Sequence, residues 1–355
     1  MQPKKIPCPR TMNYPKISIV IPSYNQGQFL EETILSVIDQ QYPNLELFVV
    51  DGASNDKSVE VIKKYEQHLT WWVSEKDKGQ GDAINKGFAR ATGEIISWLC
   101  SDDLYTPGTL HKVAEYFSKQ DDNVGLIHGG ITTFKDAKDQ RSNWGYKDPS
   151  IERYLAGMAF SQPAAFYRKK YLDKVGGRVN DQLHYGMDCD LFCRLALVCD
   201  FVPVTDIFAR YRLHWQSKSV SQANRFMADW NRTFVNLCNN MGWNSLIDRL
   251  RSTGVVDDSV LNWHYKFSFT PEKKIVEKID TEKLLFYHLC YVLKDLYWNA
   301  RRPQARHLLA WLKKNYPVTL LKNEEKIPPI MKKLMLPDPV LLLLKKLNRI
   351  KRRIL

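Results

Sequence analysis

Residues 95–103 read Ile-Ile-Ser-Trp-Leu-Cys-Ser-Asp-Asp, an apolar run that ends in two adjacent acids. A short apolar run bounded by turn residues is typical of a buried strand. In an open α/β sheet, ligands bind beyond the carboxyl ends of the strands, where Asp102 and Asp103 stand. Side chains alternate along an extended chain, so at least one carboxylate faces the crevice and can hold a hard cation. The alternative is that Asp103 caps a helix predicted over 109–117.

Strands and helices alternate upstream of this acid pair. Three further strands are predicted over 16–21, 45–50 and 71–73, and helices follow them over 29–40, 57–67 and 82–91. Pro22 is predicted to end the first strand. This alternation predicts an α/β fold with a doubly wound, mostly parallel sheet. Polar residues follow all four strands, so we expect them to converge on one crevice: Asn25, Asp51, Lys78 and Asp102.

The composition is that of a globular protein with a basic surface. The chain has 355 residues, which suits about two domains, and its formal net charge is +13. This charge favours anionic ligands or an anionic surface as partners. The seven cysteines include no C-x-x-C pair, which argues against a zinc ribbon and favours a reducing, cytosolic compartment. Residues 1–14 do not read as a signal peptide, and no apolar stretch is long enough to span a membrane.

The chain resembles the inverting glycosyltransferases of family 2, which have the GT-A fold. The resemblance covers about residues 16–219 and is carried by four motifs in order: SIVIPSYNQGQFLEETILSVIDQQYPNLELFVVDGASND, EKDKGQGDAINKGFARATGEIISWLCSDD, QPAAFYRKK and YGMDCDLFCRLA. It implies an α/β nucleotide-binding half extended by an acceptor-binding half. The implied reaction moves a sugar from a nucleotide diphosphate donor to an acceptor hydroxyl.

The resemblance implies a donor site at the carboxyl edge of the sheet. Pro22, Ser23 and Tyr24 match a turn that packs against the donor nucleotide, although a plain strand-ending turn is the alternative. Asp51 matches a position that contacts uracil. Its alternative role is a helix cap, for which later residues lie closer to the helix start. Asn25 belongs to the same turn and is assigned to the donor site with it.

The loop before the third helix is expected to close over the same crevice. Lys78 can neutralise phosphate charge there, while Asp82 can bond a ribose or cap the helix. The acid pair matches the family's metal motif, written here as SDD rather than D-x-D. The resemblance implies Asp103 as a direct ligand of Mn²⁺ or Mg²⁺ and Asp102 as a donor contact.

Asp188 is the candidate general base. It lies in a stretch similar to the family's E-D-x-x-L-x-x-R pattern, with Met187 where the family usually has glutamate. Direct displacement with inversion needs one carboxylate to take the acceptor's proton. Asp190 is the rival, but a helix predicted over 189–198 would pair it with Arg194 at i,i+4.

A segment beyond the last predicted core strand is similar to the family's R-x-H motif. By this resemblance Arg212 meets phosphate oxygens and His214 completes the metal or diphosphate site. The alternative for His214 is a purely structural histidine.

The C-terminal residues 340–355 combine an apolar helical face with a face of lysines and arginines. This pattern is typical of a helix that lies on an anionic membrane; the alternative is docking on the protein body or on a partner subunit. No nucleic-acid motif accompanies the charge. The predicted organisation is an extension over 1–15, a GT-A domain over 16–225, a helical region over 226–330 and a basic amphipathic tail over 331–355. The GT-A domain is divided into a nucleotide-sugar half, 16–120, and an acceptor half, 121–225.

The sequence therefore predicts a metal-dependent inverting glycosyltransferase that is cytoplasmic and peripheral on the inner face of the plasma membrane. The expected donor is a UDP-sugar, with dTDP- and GDP-sugars as alternatives. The expected acceptor is a lipid-linked or cell-surface glycan, as in bacterial polysaccharide biosynthesis. One alternative is a sugar nucleotidyltransferase, but that class has a glycine-rich loop with a basic residue where this chain has PSYNQGQ. The other is a non-catalytic nucleotide-sugar-binding scaffold, which would tolerate loss of Asp188.

Overall fold

A computed structural model describes residues 14–136, 138–146, 150–337 and 340. The chain divides into two compact units that interleave in sequence. The first takes its residues from 1–142, 163–173 and 200–212, and the second from 143–162, 174–199 and 213–355. Apart from Val340, the predicted tail helix over 340–355 lies outside the described residues. None of the described helices is both long enough and apolar enough to cross a membrane.

One mixed sheet runs through the first unit. Its strands are β1 (Ile17–Ser23), β2 (Leu45–Asp51), β3 (Trp71–Ser74), β4 (Ile95–Trp98), β5 (Leu104–Tyr105), β6 (Val124–Lys135), β7 (Lys138–Asn143), β8 (Ala165–Arg168) and β9 (Asp200–Arg212). Their spatial order is β3-β2-β1-β4-β8-β6-β9-β5, and β7 pairs with β6. The first four strands are mutually parallel. β8 runs antiparallel to β4 and β6, and β5 runs antiparallel to β9.

Helices alternate with the first strands and dominate the second unit. In chain order they are α1 (Gly27–Ile38), α2 (Ser58–Lys64), α3 (Gln80–Phe88), α4 (Thr109–Ser118), α5 (Ile151–Ala156), α6 (Lys169–Lys174), α7 (Met187–Ala196), α8 (Lys218–Ser221), α9 (Phe226–Met241), α10 (Asn244–Ser252), α11 (Asp258–Leu261), α12 (Lys273–Val276), α13 (Thr281–Trp298), α14 (Arg302–Asn315), α15 (Val318–Asn323) and α16 (Ile327–Leu334). The predicted α/β sheet and the C-terminal helical region are both confirmed.

Apolar periodicity explains how the first βα unit folds. Every residue of β1 is buried, as expected for a strand covered on both faces. On α1 the buried positions Leu30, Ile34 and Val37 follow the spacing of one helical face, and they share a core with Ile19 and Val49. This packing fixes the carboxyl ends of β1 and β2 side by side.

The first strand continues through Pro22 to Ser23, so the prediction that Pro22 ends it was wrong. The carbonyl of Val20 accepts the N–H of Leu99 on the β4 side, whereas that of Ser23 accepts the N–H of Gly52 on the β2 side. Pro22 has the same parity as Val20, so its missing N–H faces β4 at a point where that strand has already ended. The proline therefore removes no hydrogen bond from the ladder.

A buried ion cluster joins three segments of the second unit. Arg153 on α5 donates to both carboxylate oxygens of Glu324, at 3.1 and 2.8 Å. Lys294 on α13 donates to the same carboxylate at 2.9 Å. All three residues are buried, so a missing partner would leave an uncompensated charge inside the unit. The cluster thereby fixes the segment between α15 and α16 against α5 and α13.

Candidate functional site

Three potential metal ligands follow β4 directly. Cys100, Asp102 and Asp103 each offer a sulfur or oxygen atom, and these atoms lie within 4.8 Å of one another. Carboxylate oxygens suit Mg²⁺ and Mn²⁺, whereas a thiolate suits softer ions. The sequence predicted the two acids but not Cys100, a partly exposed cysteine whose sulfur accepts Gln80 Nε2 at 3.2 Å. Its position immediately before the acid-pair turn was the available signal.

The Asp103 carboxylate is held inside the unit. Its Oδ1 accepts the backbone N–H of Arg212 at 3.0 Å, and its carbonyl accepts the Thr33 hydroxyl at 2.9 Å. Burial raises the pKa of Asp103 well above its usual value, and the neighbouring charge of Asp102 raises it further. A cation bound to both carboxylates would oppose these two effects. Because Gly108 is the N-cap of α4, Asp103 does not cap that helix.

Arg212 supports the acid-pair turn with its side chain. Its Nε donates to the carbonyl of Asp102 at 2.8 Å, and its Nη2 donates to the Glu32 carboxylate at 2.8 Å. The guanidinium also lies 4.7 Å from the ring centre of Phe29 and 4.5 Å from that of Phe134. The structure thus gives Arg212 a role in fixing this turn, and its contact with phosphate stays a prediction.

Asp51 ends β2 and is completely buried. Its Oδ1 accepts the Ser54 hydroxyl at 2.5 Å, and its Oδ2 accepts the Ser54 N–H at 2.9 Å and the Ser74 hydroxyl at 2.7 Å. The N-cap position of α2 is Lys57, so Asp51 is not the cap of that helix. Asp51 is fully buried in this arrangement, and its contact with a nucleotide base stays a prediction.

The turn after β1 is braced by the loop after β2. Asn25 has a φ of 51°; its N–H donates to the Ser54 hydroxyl at 2.8 Å, and its side-chain oxygen accepts the Asn55 N–H at 3.0 Å. The neighbouring Tyr24 is 63% exposed. Ser23 is buried, and its hydroxyl has no hydrogen-bond partner among the described residues. The turn therefore presents the Tyr24 ring, whereas the Ser23 hydroxyl is buried.

Lys78 and Asp82 flank the start of α3. The Asp82 carboxylate accepts the N–H of Lys78 at 3.2 Å and pairs with Lys86 at 3.5 Å. The N-cap residue is Gly79, whose φ of 116° favours glycine. Asp82 is therefore not the N-cap of α3, and its contact with a ribose stays a prediction. The Lys78 side chain is exposed, and its role at the donor's phosphates stays a prediction.

Asp77 is a partly buried acid that the sequence reading missed. Its Oδ1 accepts the Gly79 N–H at 2.8 Å, and burial raises its pKa. A Cβ added at Gly52, directly after Asp51, would lie only 2.7 Å from the Asp77 carboxylate. The glycine thus lets the loop before α3 pack against the end of β2. Residues 75–78 are all charged, with alternating sign, so nothing in the sequence indicated that Asp77 is less exposed than its neighbours.

Asp188 and His214 belong to the second unit. Helix α7 begins at Met187, two residues before the predicted start, because Gly186 supplies its N-cap. Asp188 therefore lies in the first turn. Its Oδ1 accepts the Cys189 N–H at 2.8 Å. Burial raises the pKa of Asp188 to about 6 in spite of these N–H contacts.

The rival acid, Asp190, has both oxygens occupied. One accepts Arg194 Nε at 2.9 Å, as the i,i+4 spacing predicted, and the other accepts the Tyr265 hydroxyl at 2.5 Å. Asp190 is 1% exposed, so it serves as a structural ion pair. The carbonyl of His214 accepts the N–H and the hydroxyl of Ser217, and the metal role of the His214 ring stays a prediction.

Residues 18–176 match the family described as glycosyl transferase family 2. An uncharacterized glycosyltransferase of Nostoc sp. is 30% identical over 228 residues, which cover 59% of this chain and 68% of that relative. The chain belongs to glycosyl transferase family 2. A second relative of this glycosyltransferase, from Rickettsia typhi, is 21% identical over 317 residues, covering 85% of this chain and 97% of the relative.

Solved structures share the fold of this glycosyltransferase. A mannosyltransferase from Pyrobaculum calidifontis in complex with GDP-Man and Mn²⁺ has a TM-score of 0.52 and 17% identity, covering 84% of this chain and 75% of that one. S. aureus TarS 1–349 in complex with UDP-GlcNAc has a TM-score of 0.51 and 17% identity, covering 79% and 80%. At such identities the likeness establishes the fold alone, and the predicted GT-A fold is confirmed.

Proposed function

We propose that this glycosyltransferase is metal-dependent and inverting, and that it transfers a sugar from a nucleotide diphosphate donor with Asp188 as general base. A UDP-sugar is the first candidate donor. The observation that carries the proposal is the cluster of Cys100, Asp102 and Asp103 at the end of β4, with ligand atoms within 4.8 Å. Two carboxylates would repel the negatively charged diphosphate of a donor. Mg²⁺ is usually bound by one or two carboxylates together with substrate phosphates, and such a cation would remove this repulsion.

Asp102 and Asp103 would hold Mn²⁺ or Mg²⁺, for which carboxylate oxygens are the preferred ligands. When bound, the ion would neutralise charge on the diphosphate leaving group. The two similar folds described above contain GDP-Man with Mn²⁺ and UDP-GlcNAc, which supports a nucleotide-sugar donor. The exposed Tyr24 ring is suited to pack against that nucleotide, and the exposed Lys78 side chain to approach its phosphates.

The proposed role of Asp188 is to accept the proton of the acceptor hydroxyl. The hydroxyl oxygen bonds to the anomeric carbon from the face opposite the diphosphate. The bond from that carbon to the diphosphate oxygen breaks, and the nucleoside diphosphate leaves with the electron pair. A carboxylate with a pKa of about 6 is ionised at neutral pH and is a stronger base than an ordinary aspartate.

The rate of transfer should therefore fall as the pH drops below about 6, the pKa of Asp188. Burial favours the protonated form, which cannot accept a proton, so the rate rises with pH up to that value and then levels off. A pH profile of nucleoside diphosphate release at saturating donor measures this limb. A rate that stays constant well below pH 5 would contradict the assignment.

A thermal-shift screen of UDP-, dTDP- and GDP-sugars, with and without Mn²⁺, tests the donor class. A ligand at a hundredfold excess over its dissociation constant stabilises the folded state by about 2.7 kcal/mol. We expect one nucleotide class to stabilise the protein in the presence of Mn²⁺ and much less in its absence. The matching nucleoside monophosphate, which lacks the diphosphate, is the control. No stabilisation by any donor at high concentration with Mn²⁺ would contradict the proposal.

We propose further that the acceptor is a lipid-linked or cell-surface glycan and that the enzyme works on the inner face of the plasma membrane. The support is residues 340–355, which contain six lysines and arginines and no acid. Anionic lipid attracts such residues by about 1 kcal/mol each.

Changing Lys345, Lys346 and Arg349 to glutamine should therefore weaken binding to phosphatidylglycerol vesicles on the order of 100-fold. Co-sedimentation with these vesicles, and with neutral phosphatidylcholine vesicles, measures the effect. The matched control changes three exposed lysines near α2, namely Lys57, Lys63 and Lys64. Equal loss in both variants, or equal binding to neutral vesicles, would contradict a membrane role for the tail.

A further inference from the structure

Helix α9 begins 50 residues beyond the stretch that matches the family, 18–176, yet its first turn carries a buried carboxylate. This residue, Asp229, is 3% exposed. Its Oδ2 accepts the backbone N–H of Tyr185 at 2.8 Å, and its Oδ1 accepts Arg232 Nη1 at 2.8 Å. Tyr185 lies three residues before Asp188, so its hydrogen bond to Asp229 fixes the turn that leads to the proposed base.

The same turn is also packed tightly against Asp229. Gly186 is the N-cap of α7, and a Cβ added there would lie only 2.7 Å from the Cβ of Asp229. Real Cβ atoms do not approach so closely, so only glycine fits without displacing α7 or α9. A shift of Asp229 would therefore displace the turn at 185–186, both through this close packing and through the hydrogen bond to the Tyr185 N–H.

The Tyr185 side chain is held by the residues that lead into α9. Its hydroxyl accepts Arg225 Nη1 at 2.9 Å and bonds to Gln222, and its ring lies edge-on to Phe226 at 5.5 Å. Backbone and side chain of this residue are thus both fixed by the segment 222–229. Residues next to a reacting group are typically fixed in this way, by several packing contacts and hydrogen bonds at once.

We propose that Asp229 is a positioning residue for Asp188. The start of α9 fixes the turn at 185–186, and that turn sets the direction in which the first residues of α7 present the Asp188 carboxylate to an acceptor hydroxyl. Asp229 acts through this turn and does not touch the substrate. The inference rests on the proposed function, in which Asp188 is the general base.

Steady-state kinetics of two isosteric variants test the proposal. Asp229→Asn keeps an oxygen that accepts the Tyr185 N–H, whereas Asp229→Leu removes it at similar volume. UDP-GlcNAc and GDP-mannose serve as donor probes, with Mn²⁺ present. We expect Asp229→Leu to lower kcat at least about tenfold, because misplacement of a catalytic group by about 1 Å lowers the rate by up to about 100-fold. The KM for the donor should not change, and Asp229→Asn should restore kcat. The kinetics are measured at pH 8, well above the pKa of about 6 of Asp188 in the wild type.

Gly186→Ala changes the other side of the same contact, because its Cβ would push the turn away from Asp229. This variant should also lower kcat, and it provides the test if Asp229→Leu fails to fold. Arg232→Gln removes the ion pair but not the acceptor for Tyr185, and it should keep the wild-type kcat. A wild-type kcat in both Asp229→Leu and Gly186→Ala, or equal loss in Asp229→Asn and Asp229→Leu, would overturn the proposal. Asp188→Asn separates the two proposals. If Asp188→Asn retains turnover, the assignment of the general base fails. If Asp188→Asn loses turnover while Asp229→Leu and Gly186→Ala both keep it, only the positioning role fails.

Discussion

Asp188→Asn should lower the rate of sugar transfer by about 10²- to 10⁴-fold while the donor binds as tightly as to the wild type. An amide has the same shape as the carboxylate but cannot accept the acceptor's proton. Its oxygen can still accept the Cys189 N–H, so the start of α7 should be preserved. Release of nucleoside diphosphate at saturating donor measures the rate, and calorimetric titration with the donor measures binding.

Asp190→Asn is the matched control for this prediction. Asp190 is buried and paired with Arg194, and removal of one partner of a buried pair is strongly destabilising, by about 3–5 kcal/mol. We therefore expect a lower melting temperature but near-normal turnover in the folded protein. The reverse pattern, with turnover lost in folded Asp190→Asn and kept in Asp188→Asn, would move the base to Asp190.

Asp103→Asn should weaken Mn²⁺ binding in the presence of the donor nucleotide by about 100-fold or more, because even residues that only support metal ligands contribute 10–100-fold. The amide oxygen can still accept the Arg212 N–H, so the turn should keep its shape. The raised pKa of Asp103 means that its buried charge costs stability at neutral pH, so the metal-free variant should be at least as stable as the wild type. Titration of Mn²⁺ by electron paramagnetic resonance measures the affinity.

The control for Asp103→Asn is Asp173→Asn, which changes an exposed acid on α6 that pairs with Lys169. This variant should bind Mn²⁺ like the wild type. Retention of wild-type Mn²⁺ affinity and donor stabilisation by folded Asp103→Asn would show that the acid pair is not the metal site.

The sequence predicted the first half of the sheet because its pattern is local. Each of β1 to β4 is an apolar run next to its own helix, and the parallel order follows from that alternation. The second half could not be derived in this way. β5 has only two residues and pairs with β9, which lies about a hundred residues later, and β8 is inserted in reverse between β4 and β6. These pairings depend on contacts between distant segments, which no periodicity reports.

The candidate site shows the same division. The acids at the strand ends could be predicted from their positions, but the groups that hold them could not, since Ser74 reaches Asp51 and Arg212 reaches Asp103 from other elements. Cys100 was overlooked because a cysteine count looks for pairs at metal-binding spacing rather than for a thiol beside acids. The start of α7 was misplaced by two residues because its N-cap is Gly186, which has no side chain to signal a cap.

The most direct test of transferase activity is phosphorus NMR of the full chain incubated with Mn²⁺ and the donor that stabilises it, with water or a glycan as acceptor. We predict that the wild type converts the donor to nucleoside diphosphate without pyrophosphate, and that Asp188→Asn leaves the donor intact although it still binds. Release of pyrophosphate would identify a nucleotidyl transfer instead. A donor that binds but is never consumed by the wild type, or is consumed equally by Asp188→Asn, would contradict the proposed mechanism.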